Sequence, residues 1–511
     1  MSKHDSVWSS PTPLFDTAEQ QATPYADAVR AFSERDSVSL MVPGHGNDAG
    51  VGSAALHEYF GGELAKTDIP LMIEGVDLGP NSPLVQAREL AAKAWGANKT
   101  WFLTNGASQA NRIAALAVAG LGKNILMQRS SHSSFTDGVL AAGLKPSFML
   151  PSVDFVNGAS HGLTPEDVER GFAEAHEPIA AVYIVSPSYF GATADVAGIA
   201  EVAHKHGAAL IVDGAWGAHF GFHEALPESP ARLGADLTVS STHKLAGSLT
   251  QSAMIHLGDG PFTERLLPFM ERAFSMTAST SMSAILLASL DLARRSMALG
   301  REQISKSVAV AQELRERLRA DERFAVLSDG FEQYPDIAAT DPLRVPIDVS
   351  QLAETGHWVR DYCMHTHNVY FEMSTATLVV AVIGAGAAPS VDRIMAALDG
   401  AAKEAGLAAD RPDVKKDEFP PIPAPGELVM LPRDAFFSEI EQVPAAEAVG
   451  RISADSLAAY PPGIPNVSPG EVITQDVVDF LTDVAASPSG YVRGAVDPLV
   501  TTYRVVKWSH L

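Results

Sequence analysis

The sequence predicts an α/β fold: a mostly parallel sheet covered by helices, followed by smaller α/β domains toward the C-terminus. Three observations predict it. Short apolar runs alternate with helical patterns between residues 83 and 245. Those runs are almost continuously apolar, as strands buried on both faces are. Beyond residue 285 the texture changes to long helical stretches, then to the charged and proline-rich "RPDVKKDEFPPIPAPGE".

The elements follow in order. The N-terminal segment holds one or two short helices and the loop "MVPGHGNDAGVG". From 83, Leu84, Ala87, Leu90, Ala91, Ala94 and Trp95 share one helical face. "KTWFLT" is a strand, "NGASQAN" its exit and "RIAALAVAGLG" a helix. "NILMQR" and "PSFMLP" are strands around the helix "SFTDGVLAAG". In "TPEDVERGFAEAH", Thr164 is the expected N-cap and Pro165 the first helical residue. "IAAVYIVSPS" is a strand, "VAGIAEVAHKHG" a helix, and "AALIVDGAWG" and "ADLTVSSTHK" two further strands. "AILLASLDLARRSMALGREQISKSVAVAQELRERLRA" reads as one long helical stretch. The expected division is an N-terminal segment (1–65), a large domain (66–295), a small α/β domain (296–410), a linker (411–425) and a C-terminal domain (426–511).

Composition excludes several functions. Lys and Arg number 37 against 61 Asp and Glu, a formal charge of −24, so the chain is a poor partner for nucleic acid. A single cysteine, Cys363, excludes an internal disulfide and fits a reducing cytoplasm. The first residues lack the basic and apolar regions of a signal peptide. No run of about 18 apolar residues predicts a membrane span. "HKH" at 204–206 reads as a solvated helix end, and His219 has no partner at metal spacing, so no metal site is expected.

In parallel sheets the ligand sits beyond the carboxyl ends of the strands, and polar motifs gather there. Lys244 follows one such strand, between His243 and the small, weakly charged "LAGSLTQSA". Most lysines are solvated. One partly desolvated in a site has a lowered pKa and can form a Schiff base. Asp213 ends an apolar run 31 residues earlier. It either caps the next turn or faces a ring nitrogen and keeps it protonated. Together the two are what a pyridoxal 5′-phosphate site needs. Gly106, Ala107, Ser108 and Gln109 open a helix after a strand, where backbone N–H groups and a hydroxyl can meet a phosphate. Capping by Asn105 or Ser108 explains that motif equally well. His132, after another strand, is either structural or stacked on the cofactor ring.

"STHKLAGSLTQSAMIHL", "DGAWGAHF", "TNGASQAN", "RSSHSSF", "PSYFGATADV" and "YPPGIPNVSPGE" resemble the ornithine/lysine/arginine decarboxylase family. These are fold-type I pyridoxal phosphate enzymes, similar in fold to aspartate aminotransferase. The resemblance runs from Val42 to near the C-terminus and looks like the group without an extra N-terminal response-regulator-like domain. It implies α-decarboxylation of lysine, ornithine or arginine, giving a diamine or agmatine and carbon dioxide. It implies Lys244 as the Schiff-base lysine, Asp213 on the pyridine nitrogen and His132 stacked on the ring. Ala107, Ser108, Ser241 and His243 would surround the phosphate. "ASTSMSAILLASLDLA" looks like the segment reaching a partner subunit's phosphate, which points to Ser279 and Thr280 and to a homodimer with shared sites. Glu471 matches the position near the distal amine of the substrate.

The chain departs from the family at "DGAW", where Gly214 stands for a glutamate and Trp216 for a histidine. That last position approaches the cofactor's 3′-oxygen, and an indole N–H donates one hydrogen bond but does not titrate. "PGHGNDAG" departs from "PGHKGG", and Met282 replaces a proline. Two alternatives stand beside decarboxylation. One is transamination or oxygen-dependent oxidation of a basic amino acid on the same scaffold. The other is a non-catalytic regulatory paralogue.

Overall fold

Helix starts in this chain are chemically marked. Ser82 accepts the Val85 N–H ahead of Pro83, and Thr164 and Asp167 form a reciprocal capping box around Pro165. The computed structural model describes residues 15–47, 54–410, 422–460, 463–487 and 490–507. Residues 411–421 of the expected linker lie outside them. Seven strands carry the expected α/β pattern: β1 (Lys99–Leu103), β2 (Asn124–Gln128), β3 (Lys145–Met149), β4 (Ala181–Val185), β5 (Ala209–Asp213), β6 (Leu237–Ser240) and β7 (Ala253–Leu257).

Contacts group the chain into two units, each built from non-adjacent segments. The first takes residues up to Ala117, Ala209–Lys306 and Gly384–Ala387. The second takes Val118–Ala208, Ser307–Ile383 and the residues from Ala388 onward. They interleave in sequence, unlike the linear division expected, because the chain leaves the first unit after one helix and re-enters it at β5.

In the first unit the strand order is β1-β7-β6-β5. β7 pairs antiparallel with β1, Ala253 opposite Leu103, and antiparallel with β6, Met254 opposite Ser240. β5 pairs parallel with β6, Asp213 opposite Val239. β1, β5 and β6 therefore run the same way, and their carboxyl ends share one edge. The helix Pro83–Trp95 packs on β1 through the apolar face read from the sequence, and Gly96 ends it in the left-handed region. β7 is the strand the alternation of runs and helices does not reveal. It follows a loop rather than a helix, and it runs against its neighbours.

In the second unit β2 pairs parallel with both β3 and β4. A smaller sheet pairs β8 (Arg344–Asp348) antiparallel with β9 (Leu378–Val382). Leu314, Val345, Ile347, Val379 and Leu398 belong to its buried core. The C-terminal part adds β10 (Ile440–Pro444), β11 (Leu457–Tyr460), β12 (Pro465–Val467), β13 (Tyr491–Arg493) and β14 (Thr502–Val506). Val477, Leu481 and Val484 of the helix Gln475–Ala486 fill its core with Val467 and Val505.

One expectation sharpens and two shift. The helix after β1 starts at Gly106, as Gly106–Gln109 opening a helix implies, so "GASQAN" forms its first turn and a half ahead of "RIAALAVAGLG". β6 ends at Ser240, and Lys244 sits on the helical turn Thr242–Leu245. The long helical stretch is two helices, Ala284–Leu299 and Arg301–Arg319. They break at Gly300, where a Cβ would lie 2.3 Å from the Ser296 carbonyl oxygen. Among the described residues, no helix is long and apolar enough to cross a membrane, and no group of three or more His, Cys, Asp or Glu could hold a metal ion.

Candidate active site

The shared edge of β1, β5 and β6 gathers most of the polar motifs. Asp213 ends β5 and is 3% exposed. Its Oδ1 accepts the Ala215 N–H at 3.1 Å, and its Oδ2 accepts Asn111 Nδ2 at 2.9 Å. The carboxylate thus caps its own turn, and a helix side chain orients it. Asn111 was missed in the sequence. Its signal was its place in "GASQAN", one turn into a helix that leaves the neighbouring strand end.

Lys244 is half-buried, and its Nζ lies 3.6 Å from the centre of the Trp216 ring. An ammonium over an indole face is attracted by the ring quadrupole. Trp216 is 8% exposed. The side chain that departs from the family pattern is therefore the one the lysine touches. Ser241 is buried, and its Oγ lies 3.0 Å from His243 Nε2. Burial first, and then the Lys244 charge, hold the His243 imidazole below its usual range. It is neutral at neutral pH.

The first turn of Gly106–Val118 opens at the same edge. Two of its N–H groups are taken. Gly106 N–H donates to the Gln251 carbonyl at 2.7 Å, and Gln109 N–H to the Asn105 carbonyl at 3.3 Å. The Gln109 side chain turns away to Thr277 Oγ1, 3.4 Å off. The expected phosphate set therefore narrows from Gly106–Gln109 to the N–H groups of Ala107 and Ser108 and the Ser108 hydroxyl. Both residues are half-buried, and such N–H groups have no intrahelical acceptor. Ser279 and Thr280 are exposed on the connection between the helices Thr263–Thr277 and Ala284–Leu299.

Two predicted residues lie in the second unit. His132 caps the helix Ser133–Ala142, its Nδ1 accepting the Ser134 N–H at 3.2 Å. The neutral ring therefore carries its proton on Nε2. Glu471 is 1% exposed and grips Arg129, Oε1 to Nη1 at 2.6 Å and Oε2 to Nη2 at 2.7 Å. The resemblance expected it beside a substrate amine. Instead its charge is neutralised within the chain, and a substrate cation would have to displace a buried guanidinium. Arg129 was present in "QRSSHSSF" and overlooked; an arginine directly after a buried strand was the available signal.

The first-unit edge suits pyridoxal phosphate. It offers a primary amine for the aldehyde, an oriented carboxylate for the ring nitrogen and helix N–H groups for the phosphate. Residues 23–359 match the Orn/Lys/Arg decarboxylase major domain, and 421–489 match its C-terminal domain. An arginine decarboxylase of Bacillus anthracis is 34% identical over 495 residues, covering 96% of this chain and 98% of that protein. The lysine decarboxylase LdcA of Pseudomonas aeruginosa is 25% identical, covering 90% of this chain and 75% of that protein. Among solved structures, the Francisella novicida lysine decarboxylase LdcF aligns with a TM-score of 0.77 at 19% identity, over 96% of this chain and 82% of that one. That likeness bears on the fold alone, and it agrees with a sheet of fold type I. The chain belongs to the ornithine/lysine/arginine decarboxylase family of pyridoxal phosphate enzymes.

Proposed function

We propose that this protein removes the α-carboxylate of arginine, giving agmatine, a polyamine precursor, and carbon dioxide. One observation carries the chemistry: Lys244, Asp213 and the first turn of Gly106–Val118 meet at one sheet edge. The choice among basic amino acids rests on the relatives. Those named arginine decarboxylase stand at 33–34% identity, those named lysine decarboxylase at 22–25%.

Bound pyridoxal phosphate supplies an electron sink for the pair released when the α-carbon loses its carboxylate. The chain's residues do the rest. Lys244 holds the aldehyde carbon through Nζ. Asp213, kept in place by Asn111 and the Ala215 N–H, holds a proton on the ring nitrogen. Ala107, Ser108 and Ser241 bind the phosphate, with His243 behind Ser241. His132 is assigned the ring face by its motif, where an imidazole excludes water. Two groups near this edge can return a proton to the α-carbon, Lys244 and His243.

Ser279 and Thr280, exposed on their connection, are assigned to the phosphate of a second copy, which makes the working unit a homodimer. Cys363 is buried, and burial pushes its thiol up to about 12. An inert single thiol suits the cytoplasm. Trp216 favours a second reading, transamination or oxygen-dependent oxidation, because it replaces a titratable group beside Lys244. Holoenzyme given arginine, lysine and ornithine in turn separates the two. The expected products from arginine are agmatine and carbon dioxide in equal amounts. Ammonia and a keto acid with no carbon dioxide would refute decarboxylation.

A further inference from the structure

The turn that presents His132 is pinned on two sides. Gln128, the last residue of β2, is fully buried. Its Oε1 accepts the Val185 N–H at 3.0 Å, and its Nε2 donates to Ser130 Oγ at 2.7 Å. Arg129 pins the other side. Besides its two bonds to Glu471, it donates through Nε to the Pro465 carbonyl at 2.7 Å and through Nη2 to that of Asn466 at 3.2 Å. Its guanidinium also lies over the Phe148 ring, 4.5 Å from the centroid. Glu471 Oε2 in turn accepts the Ser468 N–H at 2.8 Å. Only Ser130 and Ser131 separate this knot from His132.

A buried ion pair is a poor way to add stability, because apolar residues of the same volume do as well or better. What a bidentate fork provides is direction: two parallel bonds set angle as well as distance. Here the fork ties the C-terminal segment 465–471 to the end of β2.

We infer that Glu471 is a positioning residue: acting through Arg129, it holds the 129–132 turn so that the His132 ring keeps its orientation. The C-terminal part of the chain thereby takes part in the reaction without touching the substrate. This rests on the reading that His132 faces the cofactor ring.

The test uses holoenzyme of Glu471→Gln, Glu471→Asp, Arg129→Lys and His132→Ala, each assayed well below its unfolding temperature. The readouts are the induced circular dichroism of bound pyridoxal phosphate, and kcat and KM for the preferred amino acid separately. Glu471→Gln and Arg129→Lys should lower kcat by about ten- to a hundredfold, as small misplacements near a reacting centre do, with KM changed by less than about twofold. Both should move the dichroism in the direction that His132→Ala moves it. Glu471→Asp, which keeps the charge, should move both less; it and Arg129→Lys carry the test if Glu471→Gln does not fold. A KM that rises with kcat unchanged would make Glu471 a substrate ligand and overturn the inference. So would an unmoved dichroism and kcat in Glu471→Gln while His132→Ala shifts both, which leaves the pair as framework only. If His132→Ala itself leaves the dichroism unmoved, the stacking of His132 has failed, and the inference with it.

Discussion

Lys244 and Arg129 each follow a strand end, one in each unit, and the ring contact of the first differs in kind from the ion pair of the second. Lys244 in the first unit rests its ammonium on the face of Trp216. Arg129 in the second has a carboxylate across its fork and two carbonyls around it, at 1% exposure. A cation–π contact is worth about 0.5–2 kcal/mol, whereas breaking a buried pair costs about 3–5 kcal/mol. The difference fits the roles proposed for the two groups. On the proposal that Lys244 bonds to the cofactor, its amine needs a contact it can leave, such as a ring face. A guanidinium never loses its proton in a protein, so it serves as framework, and a strong hold costs it no reactivity.

Substitutions can break or sharpen this contrast. Lys244→Ala should have the largest effect. The visible absorbance of bound cofactor and the release of carbon dioxide should vanish together, while the fold survives; retention of both would move the chemistry to another residue. Arg129→Met should come next. It leaves Glu471 buried without a counter-charge and should lower the unfolding free energy by about 3–5 kcal/mol in a denaturant titration. A loss under about 1 kcal/mol would mean that the two cations are held alike.

A neutral buried base sharpens the contrast further. His256 on β7 is fully buried, bonded to Thr100 Oγ1 at 2.8 Å and stacked on Trp95, and burial pushes its pKa down to about 3. Its folded value lies below its unfolded one. Its contribution is therefore whole above the ordinary histidine range and is lost as pH falls toward about 3. The slope is about 1.4 kcal/mol per pH unit. His256→Asn should flatten stability against pH by that amount between pH 6 and 4; an unchanged slope would mean that the folded protein protonates this ring. Trp216→Phe should act least. It keeps an aromatic face for Lys244 and should change cofactor affinity by less than about tenfold in a titration of the apoprotein.

Local features were legible in the sequence. The Thr164 cap, the Pro165 start and the strands before Asp213 and Lys244 all follow from patterns within a few residues of each position. The broken helix at Gly300 escaped because an apolar stripe continues across it, and only the Ser296 carbonyl makes the glycine necessary. β7 escaped because a strand's direction is a property of its neighbours. At Gln109 the motif suggested a phosphate, but Thr277, on a helix far along the chain, receives the side chain.

The sequence by itself determined the α/β alternation, the strand-end placement of Asp213 and Lys244 and the chemistry those residue types allow. Periodicity, caps and motifs are written in neighbouring residues and need no partner. Tertiary structure decided which groups face one another: Lys244 with Trp216, Asp213 with Asn111, Glu471 with Arg129. Arg129 and Glu471 are 342 positions apart. No periodicity spans that distance. The family motif brought Glu471 to notice, and the burial of both charges against each other determined its partner.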